Sequence, residues 1–552
     1  MPPASLATGG DDARRSPAVE RWASRLLEDR RVAWALMLAY VAAGLYFIYT
    51  DRALNDEGLL THYWADWARR ALLPTVFFQK SKPVLCVLYL PFTVGGVRAT
   101  LVAHLLAASL VVPLLRATSV ALGLSAPNLA PFIAALSPLY FIGGAAGISN
   151  VDAVLAISLV VYLLATRRND WLVGLVIGTI PWVRHELALF SGLLFLRALF
   201  VARSHRQALG AMVFPLAYAA AGALYQRDLL WMVHFPPQTP SMPGNPIWAY
   251  VSAGAAFASL VSVTPVIGLA LTARPREMRP LEREMLLYAL TWLTLCTVLP
   301  LWRIANFGFV PRYSLPVLPL LALLAARAVE RWRRPDLRLE ALDLAAPGLL
   351  LALWLAAACE EPAVAVPVLL GQAAALALAS RRRFAPAALA VLALCGLGLL
   401  LPIREQVASG QLAPYLAGMV GWIEGHRAEI RGPVYTNSPL LGPHLERPLH
   451  RVDVDVRFMI GVDQHHDLAL MTNAANGQRE TLLGLMTTDL YGHGVAPGVL
   501  NPASLPDGTL FMLRRDRRIT LLMPSRTWAR HLTSLLEARE FQVLRFTRAP
   551  RP

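Results

Sequence analysis

The sequence predicts a polytopic α-helical membrane protein with a C-terminal extracytoplasmic α/β domain. Three observations point there. Of 552 residues, 56% are hydrophobic and 16% charged, a balance too apolar for an ordinary soluble chain. Apolar stretches near the roughly 20 residues needed to cross a bilayer recur from Val32 to Leu401. Arginines gather in the short loops between alternate stretches, as the positive-inside rule requires.

Residues 1–32 read as a cytoplasmic segment, with 1–30 disordered or lying on the membrane surface. The segment carries Arg14, Arg15, Arg21, Arg25, Arg30 and Arg31. A cleaved leader is not expected, because the apolar region after it is long. The membrane domain spans 33–402. Its segments read as 33–50, 99–116, 127–144, 151–166, 170–183, 186–202, 208–225, 247–272, 284–302, 310–328, 344–358, 363–380 and 384–402, about 13 transmembrane helices. The first outward loop, 51–98, contains a shorter apolar piece, 84–95, expected at the membrane surface or partly inserted. Thirteen crossings put Arg116, Arg167, Arg203, Arg274, Arg331 and Arg381 on one side. The other side receives 51–98, 145–150, 226–246, 303–309 and Glu360. A further crossing at 84–95 would reverse every later loop.

Residues 403–552 then lie outside the cytoplasm. This tail mixes short apolar runs (432–435, 509–513, 519–523, 542–546) with helix-like stretches (414–429, 526–539), and reads as a small α/β domain. "DGTLFML" and "RRITLLMP" read as strands joined by a polar turn. No internal repeat is visible. Cys86, Cys296, Cys359 and Cys395 lie in or beside apolar segments without metal-type spacing, so they read as small buried residues. Net charge is +15, but its clustering in short loops fits membrane sidedness and not nucleic-acid binding.

Unusual polar residues gather on the outward side. "NDEG" carries Asp56 and Glu57 at the head of 57–71, an amphipathic interfacial helix with Trp64 and Trp67 expected at the headgroups. Asp56 is either a solvated or capping carboxylate, or a reactive one. Lys80 and Lys82 are the only lysines among 51 basic residues; the other 49 are arginine. A compact ammonium suits a phosphate, although outward lysines also snorkel to lipid. Pro83 fixes the start of the following helix. Asp152, in "SNVD", opens a membrane segment as a cap or as part of a polar cavity. "PWVRHELALF" packs Arg184, His185 and Glu186 into a turn with almost no loop, either a self-neutralising pair or part of a site. "RIANFGFVPRYSLPVLP" sets Arg303, Arg312 and Tyr313 around an outward loop. Arginine there either snorkels or grips phosphate oxygens. A carboxylate, lysines and arginines on one face suit a membrane-embedded donor with a phosphate leaving group. The carboxylate would take a proton from an acceptor hydroxyl or amine, and the cations would stabilise the phosphate.

The order "NDEG", "KSKPV", "SNVD", "VRHE" and "VPRYSLPVLP" resembles the bacterial branch of the GT-C glycosyltransferases, the relatives of protein O-mannosyltransferases and lipid A aminoarabinose transferase. The resemblance spans roughly 33–330. It implies a GT-C-like fold, a polyprenyl-phosphate-linked sugar donor, a lipid, glycan or protein acceptor, and a bacterial inner-membrane location. It also implies that Asp56 is the catalytic carboxylate, with Glu57 adjacent, and that Lys82 meets the donor phosphate. Asp152 then matches the second functional aspartate, Arg184 and Glu186 the Arg-x-Glu-like turn with His185 between them, and Arg312 and Tyr313 the late Arg-Tyr pair. Three departures stand out: Lys-Pro-Val replaces Lys-Pro-Pro, Ser81 replaces a glutamate before the lysine, and the aromatic after Asp-Glu is displaced to Tyr63. A divalent metal is conceivable, but Ser81 weakens a site of the kind those relatives hold.

Other readings are an outer-leaflet oligosaccharide polymerase or ligase, a transporter, and a non-catalytic scaffold. Transporters bind near the midplane and are often built from repeats, whereas the polar residues here sit at one face. In the tail, "GVDQHHDL" (Asp463, His465, His466, Asp467) and His493 read as loop residues.

Overall fold

The computed structural model describes residues 18–50, 56–77, 81–234, 278–301, 311–331, 414–430, 434–436, 456–458, 510–516 and 538–545. The expected segments 247–272, 344–358, 363–380 and 384–402, and the tail histidines, lie outside them.

The chain opens with α1 (Ala18–Glu28) and α2 (Arg30–Tyr49). Asp29 caps α2 by accepting from Arg31 N at 2.8 Å. The end of the segment expected to be disordered or surface-lying is thus helical from Ala18, and Leu27 is buried. The first loop folds as α3 (Asp56–Arg70) and α4 (Leu72–Val76). Then comes a nearly continuous apolar run, Pro83–Ala121. It comprises α5 (Pro83–Tyr89), a 3-10 turn (Leu90–Gly95), α6 (Gly96–Ser109) and α7 (Val111–Ala121). Pro83 occupies the first turn of α5, where its missing N–H costs nothing.

One expected span is broken. Residues 127–144 form α8 (Leu129–Ala135) and α9 (Pro138–Ala146), which meet at 62°. The cause is local: Pro138 drives Ser137 into an extended conformation (φ −67°, ψ 118°). There follow α10 (Ser149–Ala165), α11 (Asp170–Val183), a 3-10 turn (His185–Leu187), α12 (Ala188–Leu196), α13 (His205–Gln226), α14 (Trp231–His234), α15 (Pro280–Leu301) and α16 (Leu318–Arg331). Asn169 and Ser204 cap α11 and α13 through their side-chain oxygens. Among the described residues three helices are long and apolar enough to cross a membrane, or four with α8 and α9 counted as one span.

Buried polar contacts sort the loops into two ends. At one end Arg116 donates to Asn128 Oδ1 and Glu28 O, and Arg327 donates to Glu282 Oε1 and Leu122 O. At the other, Lys82 and Arg184 meet Ser149. Within each end the contacts join loops expected on the same side of the membrane. Lys82 and Arg116 belong to different sets of these contacts.

The helix α3 differs from its expected setting. Trp64, Ala65 and Ala68 are buried in protein, and Trp64 is not presented to the headgroups. The reason is a glycine contact. An added Cβ on Gly58 would lie 1.5 Å from Ala146 O, so α3 rests backbone-on-backbone against the end of α9. Gly147, at φ +79°, caps α9 in the left-handed conformation that lets the chain reverse there. Thr61 Oγ1 donates to Gly147 O at 3.0 Å and ties the contact down.

In the tail the described residues form α17 (Pro414–Gly425) and strands β1 (Val434–Thr436), β2 (Val456–Phe458), β3 (Leu510–Asp516) and β4 (Ala538–Arg545). The sheet order is β2-β1-β3-β4, with parallel inner pairings and β3–β4 antiparallel. Ala538 and Arg539, read from sequence as the end of a helix, open β4: Ala538 pairs with Asp516 of β3, and Arg539 sits at the register shift before Glu540 pairs with Arg515.

Candidate functional site

The start of α10 meets Lys82, just ahead of α5, and Arg184, at the turn after α11, and it packs against the 3-10 segment Pro311–Val317, while α3 packs against α5 and α9. Asp56 opens α3 and Glu57 follows it. Gly58, one residue on, touches Ala146 and Gly147, just ahead of Ser149. The side chains of Asp56 and Glu57 lie outside the described residues.

Lys82 caps α5: its carbonyl accepts from Cys86 N at 2.9 Å, and its ammonium donates to Ser149 Oγ at 2.5 Å. Arg184 ends α11 and is 4% exposed. Its guanidinium donates to Ser149 Oγ at 2.8 Å and Asn150 Oδ1 at 2.6 Å, and forms a two-nitrogen ion pair with Glu186. The two alternatives read for the "VRHE" turn are thus both present, a local ion pair and long-range partners. Tyr313 lies beneath the guanidinium, 5.1 Å from ring centroid to Cζ, and its carbonyl accepts from Trp292 Nε1 at 2.8 Å. Ser149 Oγ accepts from both cations, filling both hydroxyl lone pairs. It is also the first residue of α10, a 17-residue helix whose cap residue, Ile148, makes no side-chain capping bond. Two cations and a helix N-terminus meet at one point, an arrangement suited to an anion.

His185 lies in the turn between the two apolar helices. Burial pushes its pKa down to about 4; Glu186 opposes this, and the charges of Lys82 and Arg184 reinforce it. The imidazole is neutral at physiological pH.

Asp152 sits one turn into α10, and its carboxylate is engaged on both oxygens. Tyr89 O–H donates to Oδ1, and His104 Nε2 lies 3.1 Å from Oδ2. His104 Nδ1 donates to Gly144 O at 2.9 Å, so the Nε2–Oδ2 contact needs a further proton, carried by the imidazole or the carboxyl. Asp152 is therefore neither a helix cap nor a group standing open in a cavity; it ties α10 to α5, α6 and α9.

Arg303 lies outside the described residues, as does the side chain of Arg312, whose backbone belongs to the 311–317 turn. Sequence reasoning passed over Ser149, Asn150, Tyr89 and His104. His104 carried a signal, being the ionisable residue inside the apolar segment 99–116. Ser149 and Asn150 carried none beyond their place in "SNVD".

Among the described residues no group of side chains is arranged to hold a divalent metal. Ser81 is buried, with its hydroxyl directed to Val76 O at 3.4 Å, and the described residues hold no cluster of three His, Cys, Asp or Glu.

Spanning helices with a charged site at one end make this a multi-pass membrane protein. Its fold is similar to that of ArnT from Cupriavidus metallidurans in the apo state. The TM-score is 0.50 at 15% identity, over 87% of this chain and 93% of that one. The same protein bound to undecaprenyl phosphate aligns with TM-score 0.48 at 14% identity, over 87% and 92%. The likeness shows the fold alone, a polytopic helical membrane architecture. No protein-family model matches the chain, and no curated protein does.

Proposed function

We propose that the protein is a membrane glycosyltransferase that moves a sugar from a polyprenyl-phosphate-linked donor to an acceptor outside the cytoplasm. The observation that carries the reading is the convergence of Lys82 and Arg184 on Ser149 at the uncapped start of α10. A phosphate seated there meets an ammonium, a guanidinium and the helix N–H groups together. These charges stabilise the phosphate as it leaves with its polyprenyl chain. Tyr313 holds the guanidinium plane from below, and Arg312, in the same 3-10 turn, is a further cation for the phosphate.

Asp56 is the general base. It takes the proton of the acceptor as that group attacks the anomeric carbon, and a single displacement inverts the configuration. Glu57 flanks it, and Asp152 acts from behind by fixing α10. The site faces outward together with the tail beyond residue 403, whose mixed sheet belongs to a small α/β domain on that side. The acceptor is a lipid, glycan or protein of the bacterial envelope.

The test is release of free polyprenyl phosphate from a panel of polyprenyl-phosphate sugars, with cell-envelope extract as acceptor. Wild type releases it, Asp56→Asn binds donor without turnover, and Lys82→Ala binds donor poorly. Equal turnover by all three proteins rejects the reading, and product sugars that keep the donor's configuration reject the single displacement.

A further inference from the structure

The carboxamide of Asn150 is fixed at one end only. Its Oδ1 accepts from Arg184 Nη1 at 2.6 Å, which sets the orientation of the group, since a reversed amide would turn its NH2 toward the guanidinium. Its Nδ2 is buried and has no hydrogen-bond partner among the described residues, and Asn150 itself is 0% exposed. A buried amide donor left without an acceptor is destabilising, and such groups in native proteins call for an explanation. Here the surroundings supply one. Asn150 stands in the first turn of α10, next to Ser149, on which Lys82 and Arg184 converge, and that helix end has no side-chain cap.

We infer that Asn150 is a donor-binding residue whose Nδ2–H donates to an oxygen of the bound phosphate. The inference rests on the phosphate reading of this site and adds a member to it. Asn150 serves two partners at once: Oδ1 holds Arg184 in place, and the NH2 reads an acceptor. A neutral donor beside two cations adds selectivity. A phosphate oxygen accepts from it, whereas a ligand without acceptor oxygens leaves the amide unpaired.

The experiment is equilibrium binding of undecaprenyl phosphate, and of the corresponding polyprenyl alcohol, to the purified full-length protein in detergent. Asn150→Asp keeps the oxygen that holds Arg184 and removes the donor; Asn150→Ala removes both. A hydrogen bond to a charged oxygen predicts weakening of roughly 10- to 100-fold for the phosphate in each variant, with alcohol binding unchanged. The loss on Asn150→Ala persists in an Arg184→Ala background. Three results overturn the inference alone, provided that wild type binds the phosphate and Lys82→Ala weakens it: Asn150→Asp binding like wild type, Asn150→Ala binding like wild type, or an Ala effect that vanishes without Arg184. Failure of wild type to bind the phosphate overturns both this inference and the phosphate reading. The isosteric Asp variant keeps the test open should Asn150→Ala fail to fold.

Discussion

Replacing Gly58 by alanine should disable the protein without removing any charged group. The new Cβ would stand 1.5 Å from Ala146 O and 2.7 Å from Ala146 C, whereas real Cβ atoms essentially never approach closer than 3.0 Å. Both obstacles are backbone, so no rotamer relieves them. The start of α3 must back away from the α9–α10 turn by about 1.5 Å. Such overpacking costs about 1–3 kcal/mol, read as a lower Tm in detergent. The functional cost is larger, because Asp56 begins the same turn of helix. A misplacement of about 1 Å is worth about 100-fold in rate when a reacting group must be aligned. The assay is single-turnover release of polyprenyl phosphate at saturating donor, with donor binding measured separately. Binding should fall far less than turnover, since Lys82, Ser149 and Arg184 are on other elements. A Gly58→Ala protein with wild-type Tm and a rate within threefold of wild type would show that α3 does not rest on the α9–α10 turn.

Three further outcomes follow from the same geometry. The folded state holds His185 near 4 against about 6.5 unfolded, so the unfolded chain binds more protons between those values. This contribution to stability is complete above about pH 6.5 and is lost as pH falls toward 4; His185→Asn should flatten Tm against pH in that window, and an unchanged slope contradicts it. Tyr89→Phe deletes the donor to Asp152 Oδ1 in a buried setting, and a loss of about 1–3 kcal/mol should register as a lower Tm; an unaltered Tm would mean the contact contributes nothing. Arg184→Lys keeps the charge but cannot reach Ser149, Asn150 and Glu186 together, so donor affinity should drop roughly tenfold; retained affinity would leave the fork geometry without a role.

Much of the site was legible in the order of its residues. Lys82 stands out because the chain otherwise writes positive charge as arginine, and Arg184 and Glu186 because charges in so tight a turn need partners. The same logic gave helix α3 and the start of α5 at Pro83. The partners were not legible. Ser149 and Asn150 are ordinary polar residues, and their role comes from residues 67 and 34 positions away. Trp64 fitted a lipid-facing pattern, yet the backbone contact at Gly58 turns α3 into the protein. The break at Ser137 was written locally, in Pro138, but a hydropathy window averages over it.

By itself, the sequence determined that this chain is a helical membrane protein and that charge collects beside particular membrane segments. Hydropathy and charge placement are properties of the local chain, set by the cost of putting polar groups in hydrocarbon. Only the tertiary structure decided that Lys82 and Arg184 share one hydroxyl, that Asp152 is held between Tyr89 and His104, and that the amide nitrogen of Asn150 meets no partner among the described residues. Those facts depend on which helix ends pack together. That packing is fixed by close contacts such as Gly58 on Ala146, which no pattern along the chain encodes.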